Sequence, residues 1–165
     1  MNNANIWKFL RFLAVLMLQV LVLKNIPMGR VNIYIYPIVL LLLPLEMAQG
    51  AVLLLAFLLG ISIDVFYDTL GLHASVMCLI AAARPGTFWL IEPRGGYEIG
   101  NTPTRVKLGW AWFFKYTALL FGLAIFLITI LEDLSFSLVW FVRFVLSFGV
   151  SMAFLMLFQF IFNPD

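Results

Sequence analysis

Charge is scarce in this chain. Of its 165 residues, only 11% are Asp, Glu, Lys or Arg, where a soluble domain carries about 25%. There is one cysteine, Cys78, so no intrachain disulfide can form. There is one histidine, His73, so no Cys/His cluster can hold a structural zinc. No glycine loop ends in a phosphate-binding lysine, and no Ser/His/Asp arrangement is in evidence. A net charge of +2, with no dense basic stretch, gives nucleic acid no footprint. These absences leave no catalytic set, no metal site and no cofactor to expect.

What the chain has is apolar surface. Hydrophobic residues make up 64%, more than a soluble domain of this size can bury under a polar shell. The bilayer is the solvent that fits. A spanning helix needs roughly 20 mostly apolar residues, so the length allows about six spans with short loops. Six apolar segments are found, at about 6–23, 33–45, 51–67, 72–91, 108–131 and 138–162. No period-two alternation long enough for a barrel appears. The expectation is one all-α polytopic membrane domain over 1–165.

Two of these segments need comment. The first could mimic a signal peptide, with Lys8 and Arg11 before an apolar run. That run ends in Lys24, Asn25 and Ile26, with no small-residue cleavage site, which predicts a retained span. The second carries Pro37 and Pro44. Proline removes a backbone donor, so this span is expected to be kinked or partly re-entrant.

Charge placement orients the six spans. The longest polar stretch, 92–107, is read as a loop and shares a side with both termini. That side receives Lys8, Arg11, Arg84, Arg94, Arg105, Lys107 and Lys115. The other receives Lys24 and Arg30, then mainly the acids Asp68, Glu132 and Asp133. The positive-inside rule makes the first side cytoplasmic, with both termini there. Aromatics fall into the same two sets, Trp7, Trp89, Trp110, Trp112 and Tyr116 at one interface, and Tyr34, Tyr36, Tyr67, Phe136 and Trp140 at the other.

The most informative stretch is AFLLGISIDVFYDTLGLH, Ala56 to His73. Ala56, Gly60, Asp64 and Asp68 are four apart, so they form one stripe of one helix. Ala56 and Gly60 allow another backbone to approach closely. Asp64 lies about 6 Å deeper than Asp68. An ionised Asp at that depth costs a few kcal/mol unless it faces protein or water and has a partner. It is either a structural lock between helices or a ligand, ion or proton site. A catalytic pair is disfavoured, because Asp64 and Asp68 stand one turn apart on the same helix and cannot share an attacking water symmetrically. Arg143 is the candidate partner of Asp64 or Asp68, by depth; the competing expectation is that it snorkels to the interface. Gly71 is placed to close the turn after Asp68. The pairs Ala118 with Gly122, and Ser147 with Ser151, are read as packing seams, inside the bundle or toward a partner helix.

Over GISIDVFYDTLGLHASVMCLIAAARP the sequence resembles the rod shape-determining protein MreD family. The matching residues are Gly60, Asp64, Asp68, Leu70 and Gly71. The stretch RPGTFWLIEPRGGYE, Arg84 to Glu98, looks like the extended cytoplasmic loop of the Bacteroidota branch. The resemblance implies a non-catalytic scaffold of the bacterial cell-elongation machinery in the inner membrane. Its implied partners are an MreC-like single-pass protein and, indirectly, MreB filaments, the RodA glycosyltransferase and a class B penicillin-binding protein. It also implies a fold similar to the six-helix substrate-binding subunits of energy-coupling-factor vitamin transporters. That likeness keeps a second reading open, a small-molecule-binding membrane subunit of a transporter. Such a subunit needs convergent polar groups, for which the outer loops offer Asn25, Asn32, Asp68, Thr69, His73, Glu132 and Asp133.

Overall fold

A computed structural model describes residues 14–23, 31–98, 102–132 and 136–162. Among these residues every regular element is helical. α1 is a five-residue π-helix, Leu18–Val22, and α2 is Pro37–Leu41. α3 is Gln49–Tyr67, α4 is Leu72–Leu90 and α5 is Arg105–Leu108. α6 is Trp110–Glu132 and α7 is Leu138–Phe162.

Three of these, α3, α6 and α7, are long and apolar enough to cross a membrane. They match the expected segments 51–67, 108–131 and 138–162 within a few residues. The chain is thus a helical membrane protein by length and composition, but six uniform spans are not what the described residues show. α4 fills the fourth segment at the same 19 residues as α3, yet it carries Arg84 and Pro85 inside and is less apolar. The second segment holds only the five residues of α2. The first lies partly outside the described residues, as do Lys8, Arg11, Lys24, Asn25, Arg30 and Asp133.

The long helices run up and down. α3 and α4 form a tight antiparallel hairpin, and α6 packs on α4 and α7. One end of the bundle holds the α3–α4 turn, the end of α6 and the start of α7, since Tyr34 packs on His73 and donates to Glu132, which pairs with Arg143. At the other end the indole of Trp112, near the start of α6, donates to the Ile91 carbonyl after α4 (2.9 Å). There too the Arg105 guanidinium lies 5.6 Å from the Phe160 ring late in α7. The centre is filled by Tyr34, Tyr36, Phe113, Tyr116 and Phe121, all fully buried. The expected interfacial belts are therefore only partly real. Trp89, Trp110 and Phe136 are exposed, whereas Trp112, Tyr116, Tyr34 and Tyr36 belong to the core.

The segment 31–48 has an unusual course. Residues 31–35 are irregular rather than helical, and Pro37 then opens α2 at its first turn, where a missing N–H costs nothing. The segment begins beside Ser147 and Glu132 and ends beside Arg84, so it runs between the two ends of the bundle. In lipid a non-helical backbone must find partners within the protein. Here side chains supply them. Gln19 donates to the Ile33 carbonyl (2.8 Å) and accepts from the Ile35 N–H (2.8 Å). Ser147 and Ser151 Oγ accept from the N–H groups of Asn32 (3.2 Å) and Tyr34 (2.9 Å). Past α2, the Tyr116 hydroxyl donates to the Leu41 carbonyl (3.1 Å), and Arg84 donates to the carbonyls of Leu43 and Pro44.

Two expectations meet different outcomes here. Arg84 is not an interfacial cation; it is 2% exposed and donates to the carbonyls just past α2. Of the two readings of Ser147 with Ser151, the one inside the bundle holds: both are buried acceptors for the irregular segment.

Candidate functional site

The Asp64 stripe is where sequence and structure meet most closely. Ala56, Gly60 and Asp64 are all buried on one face of α3. A Cβ built on Gly60 would stand 2.3 Å from the Ala74 Cα and 2.8 Å from the His73 carbonyl oxygen. Any larger residue must push α4 away, so the close approach expected of this small residue is real.

That approach places the Asp64 carboxylate on the start of α4. One oxygen accepts from the His73 N–H (2.9 Å) and the Thr69 hydroxyl (2.5 Å). The other accepts from the Ala74 N–H (2.9 Å). His73 and Ala74 are the second and third residues of α4, whose amides have no partner within the helix. A carboxylate there satisfies two of them and meets the positive end of the helix dipole. The carboxylate thus acts as a helix cap supplied by the preceding helix. Gly71, the residue before α4, sits at φ 83°, as the turn requires.

Asp68 takes no part in this cap. It is exposed and closes α3 at φ 55°, a left-handed conformation that Asp tolerates better than most residues. Arg143 is likewise absent from it. Its guanidinium pairs with Glu132 at the end of α6, and the Tyr34 hydroxyl donates to the other Glu132 oxygen (3.1 Å). The expected partnership of Arg143 with Asp64 or Asp68 is therefore not formed. Depth along the helix suggested it, but the α6–α7 hairpin brings a nearer acid, and backbone amides already fill the Asp64 oxygens.

The second expected seam is also internal. A Cβ on Gly122 would meet Phe148 of α7 at 3.5 Å, ordinary contact distance, and Ala118 is half-buried one turn away. Ala118 and Gly122 remain partly exposed, whereas Ser147 and Ser151 are covered.

A polar and aromatic cluster lies next to the cap, and the sequence does not announce it. His73 is fully buried, with Nδ1 at 2.7 Å from the Tyr36 hydroxyl. The rings of Tyr34, Tyr36 and Tyr67 stand 6.0, 5.5 and 5.3 Å from the imidazole. Gln19 donates to the Tyr67 hydroxyl (2.8 Å), and Asn32 to that of Tyr34 (2.9 Å). His73 Nε2 is buried with no hydrogen-bond partner among the described residues. Of the polar groups expected to converge, Asn32, His73 and Glu132 do so, Thr69 serves the cap, and Asp68 points away. Asn25 and Asp133 lie outside the described residues. Among the described residues no group of three or more His, Cys, Asp or Glu could hold a metal ion.

At the opposite end an aromatic stack fixes the start of the 92–107 loop. Phe88, Trp112 and Tyr116 are stacked, and Tyr97 stands edge-on to Phe88 and Trp112. The Tyr97 hydroxyl donates to the Phe88 carbonyl (2.8 Å). Burial raises its pKa above the ordinary value of 10, which keeps it a neutral donor.

Comparison with known proteins adds no relative: no family, no curated protein and no solved structure matches the chain.

Proposed function

We propose that this chain is a non-catalytic membrane scaffold of the bacterial cell-elongation machinery, resembling the MreD family. The observation that carries the reading is the Gly60–Asp64–Gly71 unit. Three of the residues on which the resemblance rests, Gly60, Asp64 and Gly71, serve one structural task, holding α4 against α3. Their chemistry is that of a cap and a close packing contact, suited to a rigid platform for other membrane proteins. In this reading the chain lies in the inner membrane and makes six passes. α4, the irregular segment 31–48 and the first apolar run supply the three passes beyond α3, α6 and α7. The end that carries Arg94, Lys107 and Lys115 faces the cytoplasm, together with both termini. The partner is an MreC-like single-pass protein, and through it MreB filaments, RodA and a class B penicillin-binding protein.

The transporter reading retains one specific support, the unpartnered His73 Nε2 among three tyrosines. A mild-detergent pull-down of the tagged chain from its native membrane, read by mass spectrometry, separates the two. A single-pass coiled-coil protein with cell-wall synthases is the expected catch. Recovery of ATPase subunits instead would overturn the scaffold reading in favour of the transporter one.

A further inference from the structure

An open groove of about 300 Å³ runs along the first turns of α7. Val31, Leu138, Val139, Val142 and Leu146 line it, and Arg143 is its one charged wall. Leu138, Val139, Val142 and Leu146 are between 47% and 79% exposed, so no other described element covers them. In a membrane this groove meets lipid, at the level of the interface, since Arg143 lies about 7 Å from the start of a helix rising 1.5 Å per residue.

The guanidinium is the informative group. It has five N–H donors, and one of its nitrogens is bound to Glu132. No other acceptor within the described residues takes the remaining donors, and neither Nε nor Nη1 is sealed from the surface. Donors left facing hydrocarbon are costly. A phosphate oxygen is the acceptor that the guanidinium fork fits. We infer that the groove holds one glycerophospholipid, its phosphate accepting from the free donors of Arg143 and an acyl chain running inward past Val142 along Leu146. Glu132 holds the Arg side chain in place, and the Tyr34 hydroxyl holds Glu132. Arg143 therefore reaches the lipid already oriented. This inference rests on Arg143 and the groove and is independent of the scaffold reading.

The test is native mass spectrometry of the full chain in detergent, titrated with phosphatidylglycerol and separately with diacylglycerol of the same chains. The expected result is one phosphatidylglycerol retained per chain and no comparable retention of diacylglycerol. Arg143→Gln should weaken retention at least tenfold. Val142→Trp, which fills the groove and leaves the Arg143–Glu132 pair intact, should do the same even if Arg143→Gln folds poorly. Val145→Trp, on α7 but outside the groove lining, should retain lipid as the parent does. Equal retention in Val142→Trp and Val145→Trp, or equal retention of diacylglycerol, would overturn the site. So would crosslinking of a membrane-protein helix to Val142 in native membranes, since that occupant excludes the lipid.

Discussion

Asp64 shows what a single residue can and cannot disclose in a sequence. Its depth, and its four-residue spacing from Gly60, mark it as buried on a close-packed face, and it is. Its partners are invisible in the letters, because two of them are backbone amides of His73 and Ala74. Depth alone therefore points to the cation Arg143, which belongs to Glu132. A double-mutant cycle separates the two pairings. Asp64→Leu should cost about 2–4 kcal/mol, through a lost cap and stranded amides. Combined with Arg143→Ala, its effect should add within about 0.5 kcal/mol. Arg143→Ala and Glu132→Ala should couple by up to about 1 kcal/mol, modest because both side chains are about one-fifth exposed. Unfolding titrations in mixed micelles measure all three. Strong coupling between Asp64 and Arg143 would show that the carboxylate has the partner that the structure denies it.

At the scale of the element, apolar runs located α3, α6 and α7 well, because a long uninterrupted run has one low-cost solution in lipid. The same signal failed over 31–48. Hydropathy counts side chains, whereas the outcome there was decided by backbone groups seeking Gln19, Ser147, Ser151, Tyr116 and Arg84. Those partners lie as far as 117 residues away in the chain. The prolines gave the only local warning. Pro85 tells a similar story within α4. It has no N–H, so the Ala81 carbonyl loses its helical partner, and the Gln49 side chain donates to that carbonyl at 2.8 Å. Gln49→Leu should therefore destabilise the protein by about 1–2 kcal/mol. Pro85→Ala restores the helical donor, and in that background the same change should cost close to nothing. Thermal or denaturant unfolding of the four proteins decides it. An equal cost in both backgrounds would mean that Gln49 acts through something other than the carbonyl freed by proline.

For the whole molecule, α4 is the helix that decides how many times the chain crosses. Its composition is the least apolar of the four long helices, because it carries His73, Arg84, Thr87 and Pro85. All three polar side chains are buried, so the lipid need not meet them. Hydropathy charges a helix for residues that the fold then hides, and α4 is undervalued for that reason. Nineteen residues make a rod of about 28 Å, close to the hydrocarbon thickness. Its two ends are marked by exposed residues suited to labelling, Leu70 before the helix and Arg94 after it. Leu70→Cys and Arg94→Cys, in a Cys78→Ala background, should react with an impermeant maleimide from opposite faces of sealed vesicles. Arg94→Cys should be reached from the cytoplasmic face. Labelling of both from one face would leave α4 lying against α3 without crossing. The hairpin held by Gly60 and Asp64 would then have to lie along the membrane rather than through it.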